Sequence, residues 1–241
     1  VAERVVLITG ASTGIGAATA RRAVAGGDRV VLAARRREPL DALAGDLGAG
    51  NALAVACDVT EWDQVEALAS AALERFERID VVFANAGFGA TRGFLNESPE
   101  HWRSMVLTNV LGIAYTIRAT LAHVLERGTG HYVLTSSIAG RRSLPGSLYS
   151  ATKWAVTGIG QSLRAELREV HGNTRIRVTL IEPGAVDTPF FDNPGENRLS
   201  ADDVAGAVMW ALDQPEHVDV GEVLILPTAQ GATPRGSQPK P

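Results

Sequence analysis

A single cysteine, Cys57, stands in the 241 residues, which excludes an internal disulfide and fits a reducing compartment. The five histidines are scattered without metal-ligand spacing, so no metal site is expected. Basic residues are not in excess: the formal net charge is −4, which argues against nucleic acid as a partner. Long apolar runs are missing too. The longest, such as Val30 to Ala34 and Val81 to Ala84, have strand length and fall far short of a membrane span, so no membrane association is expected. No signal pattern precedes the first apolar run, which suggests a cytoplasmic protein, and no internal repeat is visible.

What is present is alternation. With 45% hydrophobic and 21% charged residues the chain suits one large α/β domain or two small ones, and regular exchange of strand and helix signals favours one. Apolar runs of strand length at 4–9, 29–34, 53–57, 79–84, 131–136, 176–181 and 223–226 are separated by amphipathic stretches. Among these, Val65, Leu68, Ala69, Ala72, Leu73 and Phe76 repeat at helical spacing, and Pro99 opens a long helical segment. The expected fold is a doubly wound parallel sheet, a Rossmann fold, with helices on both faces, over 1–227. From 228 to 241 the chain turns polar and rich in Gly, Pro and Ser, as a tail does.

The first run ends in Gly10-Ala11-Ser12-Thr13-Gly14-Ile15-Gly16, followed by a helical pattern. Glycines at a strand-to-helix turn let the backbone approach a pyrophosphate, whose charge the helix N-terminus stabilises. Alone, the spacing is equally that of a flexible turn. At the end of the second run, where an acidic residue would hold the ribose of NAD, stand Ala34, Arg35, Arg36 and Arg37. Guanidinium groups clamp a 2′-phosphate that a carboxylate would repel, so NADP(H) is the expected cofactor. Asp58 could meet an adenine, or cap the next helix, or do both. Asn109 interrupts the apolar face of Met105, Val106, Val110 and Ile113; it marks either a kink satisfied by water or a link to Lys153.

Between Ser136 and Lys153 the chain collects hydroxyls and an amine. Tyr149 and Lys153, four apart, share a helical face, and the apolar positions Ala151, Trp154, Ala155, Ile159, Leu163 and Leu167 follow. Such a pair is usually an ordinary surface contact. It becomes chemistry if the ammonium brings the phenol, whose reference pKa is about 10, toward neutrality.

Taken in order, Thr9 to Gly16, Asp58-Val59, Asn85-Ala86-Gly87, Asn109, Ser136-Ser137, Tyr149 through Lys153, and Pro183-Gly184 with Thr188 resemble the classical short-chain dehydrogenases/reductases. The resemblance implies a catalytic tetrad of Asn109, Ser137, Tyr149 and Lys153. It implies a cofactor site of Gly10, Ser12, Thr13, Gly14, Ile15, Gly16, Arg35, Arg36, Asp58, Val59, Asn85, Ala86, Gly87, Tyr149, Lys153, Pro183, Gly184, Val186 and Thr188. Thr188 would lie near the nicotinamide carboxamide, and Asn85 would steady the central strand. Two departures stand out. Where NADP-preferring members carry a basic residue before the second glycine, this chain has Thr13. The family's usual Ser-to-Tyr separation fits Ser136, whereas the local motif Ile138-Ala139-Gly140 selects Ser137, and we follow the motif.

The implied activity is hydride transfer between the nicotinamide and a carbonyl or secondary alcohol, with Tyr149 as general acid or base and a homodimer or homotetramer as the assembly. A non-catalytic NADPH-binding regulator is the alternative. Phe88, Phe94, Leu144, Phe190 and Phe191 would make a moderately apolar substrate pocket. Arg141 and Arg142 could read a substrate carboxylate, or be solvated or inter-subunit charges.

Overall fold

A computed structural model describes residues 3–89, 93–188 and 198–228. Its centre is a seven-stranded parallel sheet. The strands are β1 (Val5–Thr9), β2 (Arg29–Ala34), β3 (Ala52–Ala56), β4 (Val81–Ala84), β5 (Gly130–Thr135), β6 (Ile176–Pro183) and, last in the chain, β9 (Glu222–Ile225). Their order is β3-β2-β1-β4-β5-β6-β9, so the winding reverses between β1 and β4. A minor parallel ladder joins β7 (Val186–Asp187) to β8 (Leu199–Ser200). The expected doubly wound Rossmann architecture is therefore present.

Alternate residues of each strand supply two cores. Val6 and Ile8 face α1 (Gly14–Ala25), α2 (Arg37–Leu47) and α7 (Ala201–Leu212). Val5 and Leu7 face α3 (Trp62–Phe76), α5 (Gly112–Arg127) and α6 (Leu148–Glu169). Burial on both sides is why β1 reads as an unbroken apolar run. Helix starts are chemically marked: Ser98 caps α4 (Pro99–Val106) by accepting from His101 N at 3.1 Å, and Ser200 with Asp203 forms a reciprocal capping box on α7.

Several sequence expectations are corrected. The arginines after β2 lead into α2, a helix not anticipated there, whose Pro39 sits in the first turn, where a missing N–H is tolerated. Asp58 does not cap α3; Glu61 holds that position, and Asp58 Oδ1 accepts from Thr60 N at 3.0 Å and from Thr60 Oγ1 at 2.9 Å. Val106 is 40% exposed, because a π-turn over Leu107–Leu111 separates α4 from α5 and shifts the inward face. On α6 the apolar position Trp154 points outward, 48% exposed, and Val156, Gly160, Leu163 and Leu167 form the buried stripe. The stretch Pro99–Arg127 has the length and hydropathy of a membrane span, but Met105, Ile113, Ile117 and Val124 are buried in the fold, so it is a core helix. Phe190, Phe191 and nearly all of the tail lie outside the described residues.

Candidate active site

The loops that leave the carboxyl ends of β1 to β6 surround one cavity of about 720 Å³ at the winding reversal. Gly10, Ser12, Thr13, Gly14, Ile15, Arg35, Arg36, Asp58, Val59, Asn85, Ala86, Gly87, Ser137, Tyr149, Lys153, Pro183, Gly184, Val186 and Thr188 all line it. Of the expected site residues, Gly16 and Asn109 do not.

The glycine turn fits a backbone-bound anion. Gly10 has φ +66°, and a Cβ there would stand 2.9 Å from Ala86 Cα; one on Gly16 would stand 2.4 Å from Gly10 O. Gly16 thus lets the turn close on itself, while Gly10 lets it meet the loop after β4. Helix α1 then starts beside the cavity with no acidic residue in its first turn and no side-chain cap from Thr13. Its first N–H groups and the positive end of its dipole suit a phosphate-bearing dinucleotide.

Two guanidinium groups extend this positive field. Arg35 and Arg36 are exposed at the cavity rim and have no ion-pair partner among the described residues, whereas Arg37 is engaged with Asp41 at 2.8 Å. Asn85 ties three strands: its N donates to Thr9 Oγ1 at 3.0 Å, its Nδ2 to Thr9 O at 3.2 Å, and its Oδ1 accepts from Thr135 Oγ1 at 3.1 Å.

At the other end of the cavity, Ser137 leads from β5 into a 3₁₀ turn, and Tyr149 and Lys153 project from the first turns of α6. The Ser137 hydroxyl stands beside the Tyr149 phenol and lowers its pKa, while its Oγ accepts from Ala139 N at 3.1 Å. Ser136 points elsewhere: its Oγ donates to Lys153 O at 3.1 Å and pairs with Thr157 Oγ1 at 3.0 Å. Lys153 is 3% exposed, and its Nζ donates to Thr135 O at 2.7 Å.

The titrations depart from the sequence expectation. Burial pushes the Tyr149 phenol up to about 12, only partly offset by the Ser137 hydrogen bond, and burial lowers the Lys153 amine to about 8. Burial, and not the neighbouring amine, dominates the phenol's shift, and it lowers the amine as well.

Asn109 is fully buried in the π-turn, and protein groups satisfy its amide. Its Nδ2 donates to Phe88 O at 2.9 Å and to Thr152 Oγ1 at 3.2 Å, and its Oδ1 accepts from Phe88 N at 3.0 Å. Lys153 is not a direct partner. Gly87 separates the two: a Cβ there would lie 3.1 Å from Asn109 Oδ1 and 3.7 Å from Lys153 Nζ. Sequence reasoning missed Thr135 and Thr152, whose hydroxyls and carbonyls hold the expected residues, and His101, Thr108 and Ser147 on the cavity wall. Only the place of Thr152, directly before Lys153, offered a signal. Arg141, considered for a substrate carboxylate, is bound to Glu182 and Glu222 instead.

The chain is similar to known proteins along most of its length. An uncharacterized oxidoreductase of Staphylococcus haemolyticus is 40% identical over 228 residues, covering 93% of this chain and 97% of the relative. The alcohol dehydrogenase of Thermococcus sibiricus, solved with 5-hydroxy-NADP, superposes with a TM-score of 0.84 at 33% identity, over 92% of this chain and 96% of that one. The 3-ketoacyl-(acyl-carrier-protein) reductase of Brucella melitensis, solved with NADH, gives 0.84 at 30% identity, over 93% and 97%. The family model for short chain dehydrogenase matches residues 4–199, and with these relatives it identifies the chain as a member of the short-chain dehydrogenase/reductase family of oxidoreductases.

Proposed function

We propose that this protein is an NADP(H)-dependent oxidoreductase that interconverts a carbonyl compound and a secondary alcohol, with Tyr149 as the general acid and base. The observation that carries the reading is that Ser137, Tyr149 and buried Lys153 meet on the wall of one cavity that the α1 N-terminus, Arg35 and Arg36 also line. The glycine turn and α1 would hold the pyrophosphate, and Arg35 with Arg36 a 2′-phosphate. Bound there, the nicotinamide would supply or accept the hydride.

The protein's own part is proton handling and orientation. A phenol kept protonated at neutral pH is the form that reduction requires, and Tyr149 donates its proton to the substrate oxygen as negative charge builds there. Ser137 hydrogen-bonds the same oxygen and the phenolate left behind. Lys153 attracts that phenolate and offers donors to ribose hydroxyls. Asn109 holds Phe88 and Thr152, and through them the loop after β4 and the start of α6. Phe88, Ile138, Leu144 and Val186 on the wall suit a moderately apolar substrate. The reading places the enzyme in the cytoplasm as a homodimer or homotetramer.

The test is oxidation of NADPH and of NADH, followed at 340 nm, against a panel of 4-nitrobenzaldehyde, cyclohexanone, 2,3-butanedione and ethyl acetoacetate, with Tyr149→Phe as control. NADPH should be preferred, and Tyr149→Phe should bind NADPH normally but turn over about two to four orders of magnitude more slowly. NADPH binding without turnover of any carbonyl or alcohol would favour the non-catalytic regulator, and full activity in Tyr149→Phe would remove Tyr149 from the chemistry.

A further inference from the structure

Glu182 is a carboxylate inside a sheet, 0% exposed, one residue before Pro183 at the end of β6. Glu222 lies on the same sheet face: it pairs with Leu180, two residues before Glu182. One guanidinium serves both, with Arg141 Nε donating to Glu182 Oε2 and Nη2 to Glu222 Oε2. Arg141 closes the 3₁₀ turn that begins at Ser137; Gly140 N donates to Ser137 O at 2.8 Å and Arg141 N to Ile138 O at 3.1 Å. Ser137 and Arg141 are therefore two ends of one small rigid unit.

We propose that Arg141 and Glu182 are positioning residues for Ser137: their ion pair fixes the Ser137 turn against the end of β6 and so sets the hydroxyl on the Tyr149 phenol.

Three observations support this. First, the direct tie from Ser137 to β6, its Oγ to Pro183 O, is 3.4 Å long, beyond the usual range for a hydroxyl donor, so it holds the turn weakly. A charge-assisted Arg–carboxylate contact is the stronger anchor. Second, the opposite side of the turn has no slack: a Cβ on Gly140 would lie 2.5 Å from Ser136 Oγ and 2.7 Å from Lys153 O. Pressed on α6 from one side and held by Glu182 from the other, the turn has one seat. Third, the pair is poorly built for stability. Glu182 Oε1 has no hydrogen-bond partner among the described residues, and burial raises the pKa of the acid despite Arg141. Only the carboxylate is buried, the Arg141 side chain being 39% exposed, so Glu182 gives up its hydration for a partly solvated partner, and geometry is the better account of its presence.

The inference rests on the proposed role of Ser137, and its test has one arm that needs no turnover. Labelling with [¹³Cζ]tyrosine gives three signals, from Tyr115, Tyr132 and Tyr149, and Tyr149→Phe assigns the last. Arg141→Met should move the Tyr149 resonance in the same direction as Ser137→Ala does, with Tyr115 and Tyr132 unmoved as reporters of the fold. In the second arm, with NADPH and the best carbonyl of the panel, Arg141→Met should lower kcat about ten- to a hundredfold with little change in KM for NADPH. In a Ser137→Ala background the same substitution should cost less than about twofold, the signature of two residues acting as one. If Arg141→Met disturbs all three resonances, Arg141→Lys and Glu182→Gln decide by the same readouts. An unmoved Tyr149 signal, or losses that multiply independently in the double variant, overturns the inference. A protein inactive toward every carbonyl whose Tyr149 signal still responds refutes the proposed reaction and leaves the positioning intact.

Discussion

The amine of Lys153 lies 5.6 Å from the centroid of the Tyr149 ring, yet it gives its hydrogen bond to the carbonyl of Thr135. Burial leads the shift of each group, and the two pull the pH dependence of stability in opposite directions.

Lys153 has a folded pKa of about 8 against an ordinary value of 10.5. Between these the unfolded chain binds a proton that the folded chain does not, so stability rises with pH through that window. Tyr149, at about 12 against 10.0, keeps its proton when the unfolded chain has lost it, so stability falls from pH 10 upward. Their joint contribution is greatest near pH 10. At pH 7 the buried charge of Lys153 costs about 3 kcal/mol. Lys153→Met should recover much of that and flatten the rise between pH 8 and 10, as urea unfolding at several pH values would show; an unchanged slope would contradict the assignment.

The two serines should separate by kind of defect. Ser137→Ala should reduce kcat about a hundredfold because its hydroxyl stands beside the phenol, and should also cost about 0.5 to 2 kcal/mol because that hydroxyl caps the 3₁₀ turn. Ser136→Ala should leave turnover nearly intact but destabilise by about 1 to 3 kcal/mol, since Ser136 is 1% exposed and bonds Lys153 O and Thr157. Chemical denaturation beside steady-state kinetics distinguishes them, and the reverse ordering in kcat would move the role to Ser136.

Cofactor choice should reside at the end of β2. Replacing Ala34 by Asp and Arg35 by Ser removes one phosphate contact and supplies a ribose acceptor. The NADP/NAD ratio of kcat/KM should fall by at least about ten- to a hundredfold. A parent that prefers NAD, or a ratio that stays put, would displace the phosphate site.

Two glycines offer a contrast in packing. A methyl on Gly16 meets Gly10 O at 2.4 Å, so Gly16→Ala should cost about 1 to 3 kcal/mol and weaken dinucleotide binding. Gly45, in α2, has nothing within 4 Å of a built Cβ, and Gly45→Ala should stabilise by about 0.5 to 1 kcal/mol. Thermal melts with and without NADPH measure both.

What was legible in the sequence follows what each signal depends on. The strands buried on both faces announced themselves, β2 to the residue, because apolar side chains dominate there. Helix α2 did not, because arginines run up to its start, a proline sits in its first turn, and only Leu40 and Leu43 are buried. Most positions around the cavity could be named through the family resemblance, whose motifs fall at strand ends and helix starts. Their mutual contacts could not: Lys153 reaching Thr135, Asn109 reaching Thr152, and Arg141 reaching Glu182 each join residues at least 18 apart in the chain. No local pattern encodes such pairings. The outward turn of Val106 and Trp154 was hidden for a related reason, since an apolar residue on a helix does not say which of two neighbouring stripes meets the sheet.

The π-turn at Leu107–Leu111 has a consequence for how this helix can vary. Such a turn is the equivalent of one residue inserted into a regular helix, and one residue corresponds to about 100° of rotation. Met105 before it and Ile113 after it are both anchored in the fold, so the segment between them is specified by its count of residues as well as their identity. A substitution here changes one contact. Deleting a single residue would instead restore a regular helix, swing one half against the other, and take Asn109 away from Phe88 and Thr152 together.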